Sequence, residues 1–167
     1  MQKVSPLQGN LQSQKTLFIV ALLVVIADQL TKLWIRDSLV LGESRPHEGF
    51  VRLTLVHNTG IVFGFSVNQA VPLIISIALI AAVVFFSHRY ALLNNRLIKI
   101  SLGLFIGGSI GNLIDRLRFG YVTDFIDFRL WGSFHWPAFN LADVAIVVGF
   151  FLLLWFAIRT ATSQKHG

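Results

Sequence analysis

Four long apolar stretches constrain this chain more than any other feature. They cover residues 16–35, 70–86, 97–114 and 138–158, and a helix needs about 20 mostly apolar residues to cross the hydrocarbon core of a bilayer. Of the 167 residues, 54% are apolar and 13% are charged, where a soluble domain carries about 25% charged. Lipid offers no partner for backbone polar groups, so spanning segments must satisfy their own. The expected fold is therefore mainly α: four transmembrane helices in a single integral membrane domain, residues 1–167. Lys3 and Lys15 ahead of the apolar run Leu17–Ala27 would also suit a cleavable signal peptide. Apolar character resumes past Asp28, however, and the first stretch is read as a retained span.

Four spans place both termini on one side. The 14 Lys and Arg divide evenly, seven with the termini and the 87–99 loop and seven on the other side. The first group sits in shorter stretches, and short cationic loops stay in the cytoplasm. Both termini are thus expected to be cytoplasmic, leaving residues 37–69 and 115–137 outside. In the first outer segment Val51-Arg52-Leu53-Thr54-Leu55 alternates apolar and polar, the strand period. Asn58-Thr59-Gly60 then supplies a turn before Ile61–Phe65, which predicts a small extracytoplasmic β hairpin or curved sheet. The second outer segment is dense in aromatic residues, from Phe119 to Trp136, as suits the headgroup region.

The net charge of +6 is explained by membrane orientation, and no nucleic-acid partner is expected. No cysteine is present, which excludes disulfides and thiol chemistry. Gly107-Gly108-Ser109-Ile110-Gly111 matches a serine-nucleophile pattern, but that motif needs a strand-to-helix turn, and here it lies within an apolar helix. The five histidines, His47 and His57 among them, lack metal-ligand spacing. No metal and no cofactor are expected.

The remaining signal is acidic. A carboxylate embedded in a bilayer is costly and rarely idle. Asp124, in Val122-Thr123-Asp124-Phe125, and Asp143, in Phe139-Asn140-Leu141-Ala142-Asp143, could meet at one membrane face. Two carboxylates that cannot both ionise form an acid/base pair. Gly103, Gly107 and Gly111 give the third span a smooth packing face. Gly108, Asn112 and Arg116 form the adjoining stripe, whose polar groups can contact a substrate or orient a carboxylate. Taken singly, each residue has a plainer reading. Asn140 and Asp143 could cap a helix. Asp124 could be a solvated loop acid like Asp127, Asp28 and Lys32 a helical ion pair, and Asn58 a turn residue. A proton-coupled transporter and a non-catalytic scaffold remain open beside a protease on these grounds.

Taken together, the blocks Asp28-Gln29-x2-Lys32, His57-Asn58-Thr59-Gly60, Gly107-Gly108-x2-Gly111-Asn112-x2-Asp115-Arg116, Val122–Phe125 and Phe139–Asp143 resemble the bacterial lipoprotein signal peptidase family, signal peptidase II, in order and spacing. The resemblance implies an aspartyl endopeptidase of the inner membrane, working on its extracytoplasmic side. Its substrates would be prolipoproteins whose lipobox cysteine carries diacylglycerol, cut just before that cysteine. It implies Asp124 and Asp143 as the catalytic pair, with Asn112, Arg116, Asn140, Asn58 and Asp28 supporting. Membrane lipids are the other expected partner, and the enzyme is expected to be a monomer. The chain departs from the family pattern at His57, at Ile61-Val62 and at Val144, which bears on substrate fit and on hydrogen bonding around Asp143.

Overall fold

The computed structural model describes residues 6–60, 95–132 and 134–165, with isolated positions between 71 and 85. Most of the expected second span, 70–86, and the Ile61-Val62 departure lie outside the described residues. Among those residues the chain forms three helices and four strands. Helix α1 is Pro6–Ser38, α2 is Arg96–Phe119 and α3 is Leu141–Lys165. The strands are β1 (Ser44–Arg45), β2 (Val51–Asn58), β3 (Val122–Trp131) and β4 (Phe134–Phe139).

Two helices, over Gln14–Ser38 and Arg96–Phe119, are long and apolar enough to cross a membrane, and Leu141–Phe156 is a shorter apolar helix. Their packing is that of a protein in an apolar solvent. Phe18, Leu22, Leu23 and Leu30 of α1 and Phe150, Phe151 and Trp155 of α3 face outward, while Asp28, Lys32, Asp115 and Asn140 are fully buried.

Glycine lets the backbones approach. A Cβ on Gly103 would lie 2.8 Å from the Leu17 carbonyl, and one on Gly107 would lie 2.7 Å from the Ala21 carbonyl, both on α1. Gly108 meets the Ala142 carbonyl of α3, and Gly149 of α3 reciprocates against Ser101 of α2. The middle helix α2 therefore touches α1 along one glycine face and α3 along another, the small-residue packing on which membrane helices rely. Two apolar clusters flank a polar layer. Leu17, Ala21, Ile98, Leu102 and Ile106 form one. Ile35, Leu39, Leu55 and Phe125 join α1 to the sheet and form the other.

The sheet is antiparallel, in the order β1-β2-β3-β4. The expected second arm of the hairpin, Ile61–Phe65, lies outside the described residues; the described partners of β2 are β1 and β3. The aromatic-rich second outer segment is itself β3 and β4, paired with each other. Asp124 and Asp127 are both buried strand residues, and not solvated loop acids. Between Leu53 and Val56 the β2–β3 register shifts, with Leu53 opposite Ile126 but Val56 opposite Asp124. One extra residue on β2 reverses which face its side chains occupy. Before the bulge Arg52 and Thr54 face Asp127; after it Asn58 faces Asp124. Helix α2 meanwhile runs on to Phe119, past the expected end of its span. Gly120, at φ 78°, closes it with an N–H to the Arg116 carbonyl, a left-handed position suited to glycine. The chain turns there into β3 within two residues, which sets Asp124 beside the end of α2.

Candidate active site

Four separate elements converge on the two aspartates. Asp124 lies in β3, 1% exposed, and Asp143 is the third residue of α3, half-buried. Asn140 is the residue that joins them. Its Nδ2 donates to Asp124 Oδ1 at 2.7 Å. Its backbone N–H donates to Asp143 Oδ2 at 3.2 Å, and its Oδ1 accepts from the Asp143 N–H at 2.9 Å. The last two contacts are the reciprocal bonds of a capping box, so the helix-cap reading of Asn140 and Asp143 holds. The cap also leaves the Asn140 amide free to reach the second carboxylate.

The other oxygens are held by two more amides. Asn58 Nδ2 donates to Asp124 Oδ2 at 2.8 Å, and Asn112 Nδ2 donates to Asp143 Oδ1 at 2.7 Å. Each amide is oriented by a group that can only donate. The Gly60 N–H fixes Asn58 Oδ1 at 2.9 Å, the Asp143 N–H fixes Asn140 Oδ1, and Lys32 Nζ fixes Asn112 Oδ1 at 3.0 Å. With the oxygens so engaged, the NH2 groups must face the carboxylates.

Asp124 is thus hydrogen-bonded by neutral donors. Burial, and next the charge of Asp143, push its pKa up to about 7, against the opposing effect of the Asn58 and Asn140 amides and of Lys32. A carboxyl so placed can hold a proton near neutral pH beside a second carboxylate, the arrangement that acid/base chemistry on water requires. Arg116 lies one turn beyond Asn112 on α2, half-buried, within electrostatic reach of Asp143, Asp124 and Asp115.

Asp28 lies behind the pair. Its Oδ1 accepts the Ala142 N–H at 3.0 Å, one of the four amides that the start of α3 leaves without an intrahelical partner. Its Oδ2 pairs with Lys32 at 2.8 Å, as the spacing of four predicts. The structure adds residues that the sequence reading did not single out. Asp115 Oδ2 accepts the Thr123 N–H at 2.8 Å, tying β3 to α2, and lies 3.5 Å from Lys32. Gln29 reaches Asp28, the Gly111 carbonyl and Asp115, and Arg36 donates to Thr123 Oγ1 at 2.8 Å. Their signal was present: Asp28, Lys32 and Arg36 recur at intervals of four and form one polar stripe in an apolar helix. Among the described residues, no buried side-chain nitrogen or oxygen lacks a hydrogen-bond partner.

An apolar cavity of about 340 Å³ adjoins Asp143, lined by Trp136, Phe139, Val144, Val147 and Val148. His57 stacks on Tyr121 with ring centroids 3.7 Å apart. Among the described residues, no cluster of three or more His, Asp or Glu could hold a metal ion.

The family model for signal peptidase (SPase) II matches residues 20–159. The chain is 44% identical over 147 residues to the lipoprotein signal peptidase of Moorella thermoacetica, covering 87% of this chain and 95% of that one. To the lipoprotein signal peptidase of Burkholderia mallei it is 39% identical over 153 residues, 87% and 89% of the two chains. Among solved structures, a bacterial membrane enzyme determined by the in meso method at 2.3 Å superposes with a TM-score of 0.75 at 34% identity, covering 90% of this chain and 91% of the other. A second, at 1.9 Å, gives 0.74 at 33% identity, with 85% and 92% covered.

Proposed function

The chain belongs to the signal peptidase II family, membrane proteases that cleave the signal peptides of lipoproteins, and on that premise we propose that Asp124 and Asp143 are its catalytic pair. The observation that carries this reading is the Asn140 bridge, which joins the two carboxyl groups through one residue. The elevated pKa of Asp124, at about 7, supports a pair that shares one proton at neutral pH. The ionised carboxylate takes a proton from a water molecule, whose oxygen attacks the scissile carbonyl. The protonated carboxyl donates to the carbonyl oxygen, and a proton passes to the leaving amine as the peptide C–N bond breaks. The two groups titrate together, so the proton belongs to the pair.

The substrate in this reading is a prolipoprotein whose cysteine carries diacylglycerol, cut just before that cysteine. The apolar cavity beside Asp143 receives apolar substrate surface. Asn112, Asn140 and Asn58 hold the carboxylates, Arg116 supplies positive charge at the site, and Asp28 anchors the start of α3. The protein works as a single domain with four spans in the inner membrane. Its termini are cytoplasmic and its sheet and active site lie on the extracytoplasmic face. No cofactor takes part.

A gel-shift assay tests this directly. Purified protein in detergent is mixed with diacylglyceryl-modified prolipoprotein, beside Asp124→Asn and Asp143→Asn. Cleavage by the wild type alone is expected. Wild-type rates in either folded variant would remove the pair from the mechanism.

A further inference from the structure

Among the described residues, the most deeply buried cation is Lys32 of α1, which is fully buried. Its ammonium group has three protons, and three acceptors surround it: Asp28 Oδ2 at 2.8 Å, Asn112 Oδ1 at 3.0 Å and Asp115 Oδ2 at 3.5 Å. Two are carboxylates, and Arg36, 3.7 Å from Asp115, is the second cation that balances the pair. The third is the neutral amide that holds Asp143. An ion pair with Asp28 would be complete without that third contact.

Asn112 has two ways to sit in its site. In the observed one, Oδ1 faces Lys32 and Nδ2 faces Asp143 Oδ1 at 2.7 Å. Turned over, its NH2 would face an ammonium and its oxygen would face a carboxylate oxygen, so both contacts become repulsive. Asn140 Nδ2 also lies 3.0 Å from Asn112 Oδ1, but its two protons are divided among three acceptors, Asp124 Oδ1, Asn112 Oδ1 and the Thr123 carbonyl. Lys32 is the donor with a proton to give to this oxygen alone.

We propose that Lys32 is a positioning residue for catalysis: by donating to Asn112 Oδ1 it locks the amide in the orientation that presents N–H to Asp143. This rests on Asp124 and Asp143 being the catalytic pair. Lys32 acts from α1, behind the carboxylates, through a residue of α2, so it governs the chemical step and not substrate affinity. A purely structural ion pair predicts something different, since removing either partner would then have the same consequence.

The test is single-turnover and steady-state cleavage of diacylglyceryl-modified prolipoprotein by full-length protein in detergent, with thermal unfolding recorded for every variant. Asp28→Asn combined with Lys32→Met removes one charge of each sign and keeps the buried layer neutral. It is expected to lower kcat about 10–100-fold, the usual cost of losing a group that orients an active-site side chain, with KM within about twofold. Asp28→Asn alone, which leaves Lys32 on Asn112, is expected to lose less. Introduced into an Asn112→Ala background, the combined change is expected to cost less than about twofold more, because coupled residues are non-additive. If the combined variant loses its thermal transition, Asp28→Asn with Lys32→Gln, whose amide both donates and accepts and so does not fix the orientation of Asn112, takes its place in the same cycle. Equal kcat loss in Asp28→Asn and the combined variant would overturn the proposal. So would full additivity with Asn112→Ala, or loss of folding in both Lys32 variants. Asp124→Asn and Asp143→Asn run alongside. If either is active, the catalytic-pair reading itself fails, whereas inactive aspartate variants with unimpaired Lys32 variants would sink the positioning role alone.

Discussion

Asp124 and Asp127 stand three residues apart on one strand, 1% and 4% exposed, and their environments differ completely. Asp124 faces the helices and receives two neutral amides. Asp127 faces the other side of the sheet, where it pairs with Arg52 and accepts from Thr54 at 3.2 Å, with His135 Nδ1 3.0 Å away. Burial raises the pKa of both. For Asp124 the charge of Asp143 adds to that effect and the group reaches about 7. For Asp127 the hydrogen bonds and charges of Arg52 and His135 outweigh burial and hold it below the ordinary carboxylate value. Depth alone therefore does not set the pKa of an acid. Neutral donors fix a carboxylate in place while leaving its proton exchangeable, whereas cations commit it to the ionised form. The bulge in β2 enforces the distinction by sending Arg52 and Thr54 to one face and Asn58 to the other.

Removing the residue that serves both carboxyls should have the largest effect on this contrast. Asn140→Ala takes the side-chain donor from Asp124 and the cap acceptor from the Asp143 N–H, while the backbone N–H to the Asp143 carboxylate stays. A hydrogen bond to a charged group is worth about 1.5–3 kcal/mol and a lost cap about 1 kcal/mol. A fall in kcat of about 100-fold or more is expected in the prolipoprotein cleavage assay, with the helical circular-dichroism signal retained.

Asn58→Ala removes one donor from Asp124 alone, and kcat should fall about tenfold. The pH profile sharpens the case. Wild-type activity should decline as pH rises through about 7, where Asp124 gives up its proton. Asn58 stabilises the ionised form, so its loss raises the pKa further and the alkaline limb should move to higher pH. A limb that stays in place would mean that Asp124 does not set it.

Asp127→Asn should have the smallest effect on activity, with its consequence appearing in stability. The folded-state pKa of Asp127 lies below its unfolded value of 3.8. Its contribution is therefore present above the unfolded value and fades as pH falls through the folded one. Loss of about 1–3 kcal/mol is expected at pH 7, measured by thermal unfolding in detergent, shrinking when the comparison is repeated below pH 4.

The amino-acid sequence carries the helices in their apolar runs, and it carries the acids and amides of the site in five short blocks. Asp28–Lys32 is legible from its spacing because both residues share one helix. Asp124 and Asp127 were indistinguishable as isolated letters, because what separates them is a register shift in β2, some 70 residues away in the chain. Asp115 and Thr123 are close in sequence but meet only because Gly120 turns the helix back into a strand. Local period reveals elements, while the partners of a buried polar group are fixed by how the elements pack.

The most direct test of this account sets the two neighbours side by side. Asp124→Asn and Asp127→Asn are purified at equal folded concentration and assayed on diacylglyceryl-modified prolipoprotein at pH 6.5 to 7. The account predicts a loss of at least about 1,000-fold for Asp124→Asn and a rate within about threefold of wild type for Asp127→Asn, whose partners lie on the far face of the sheet. Comparable losses in both, or cleavage surviving in Asp124→Asn, would contradict it.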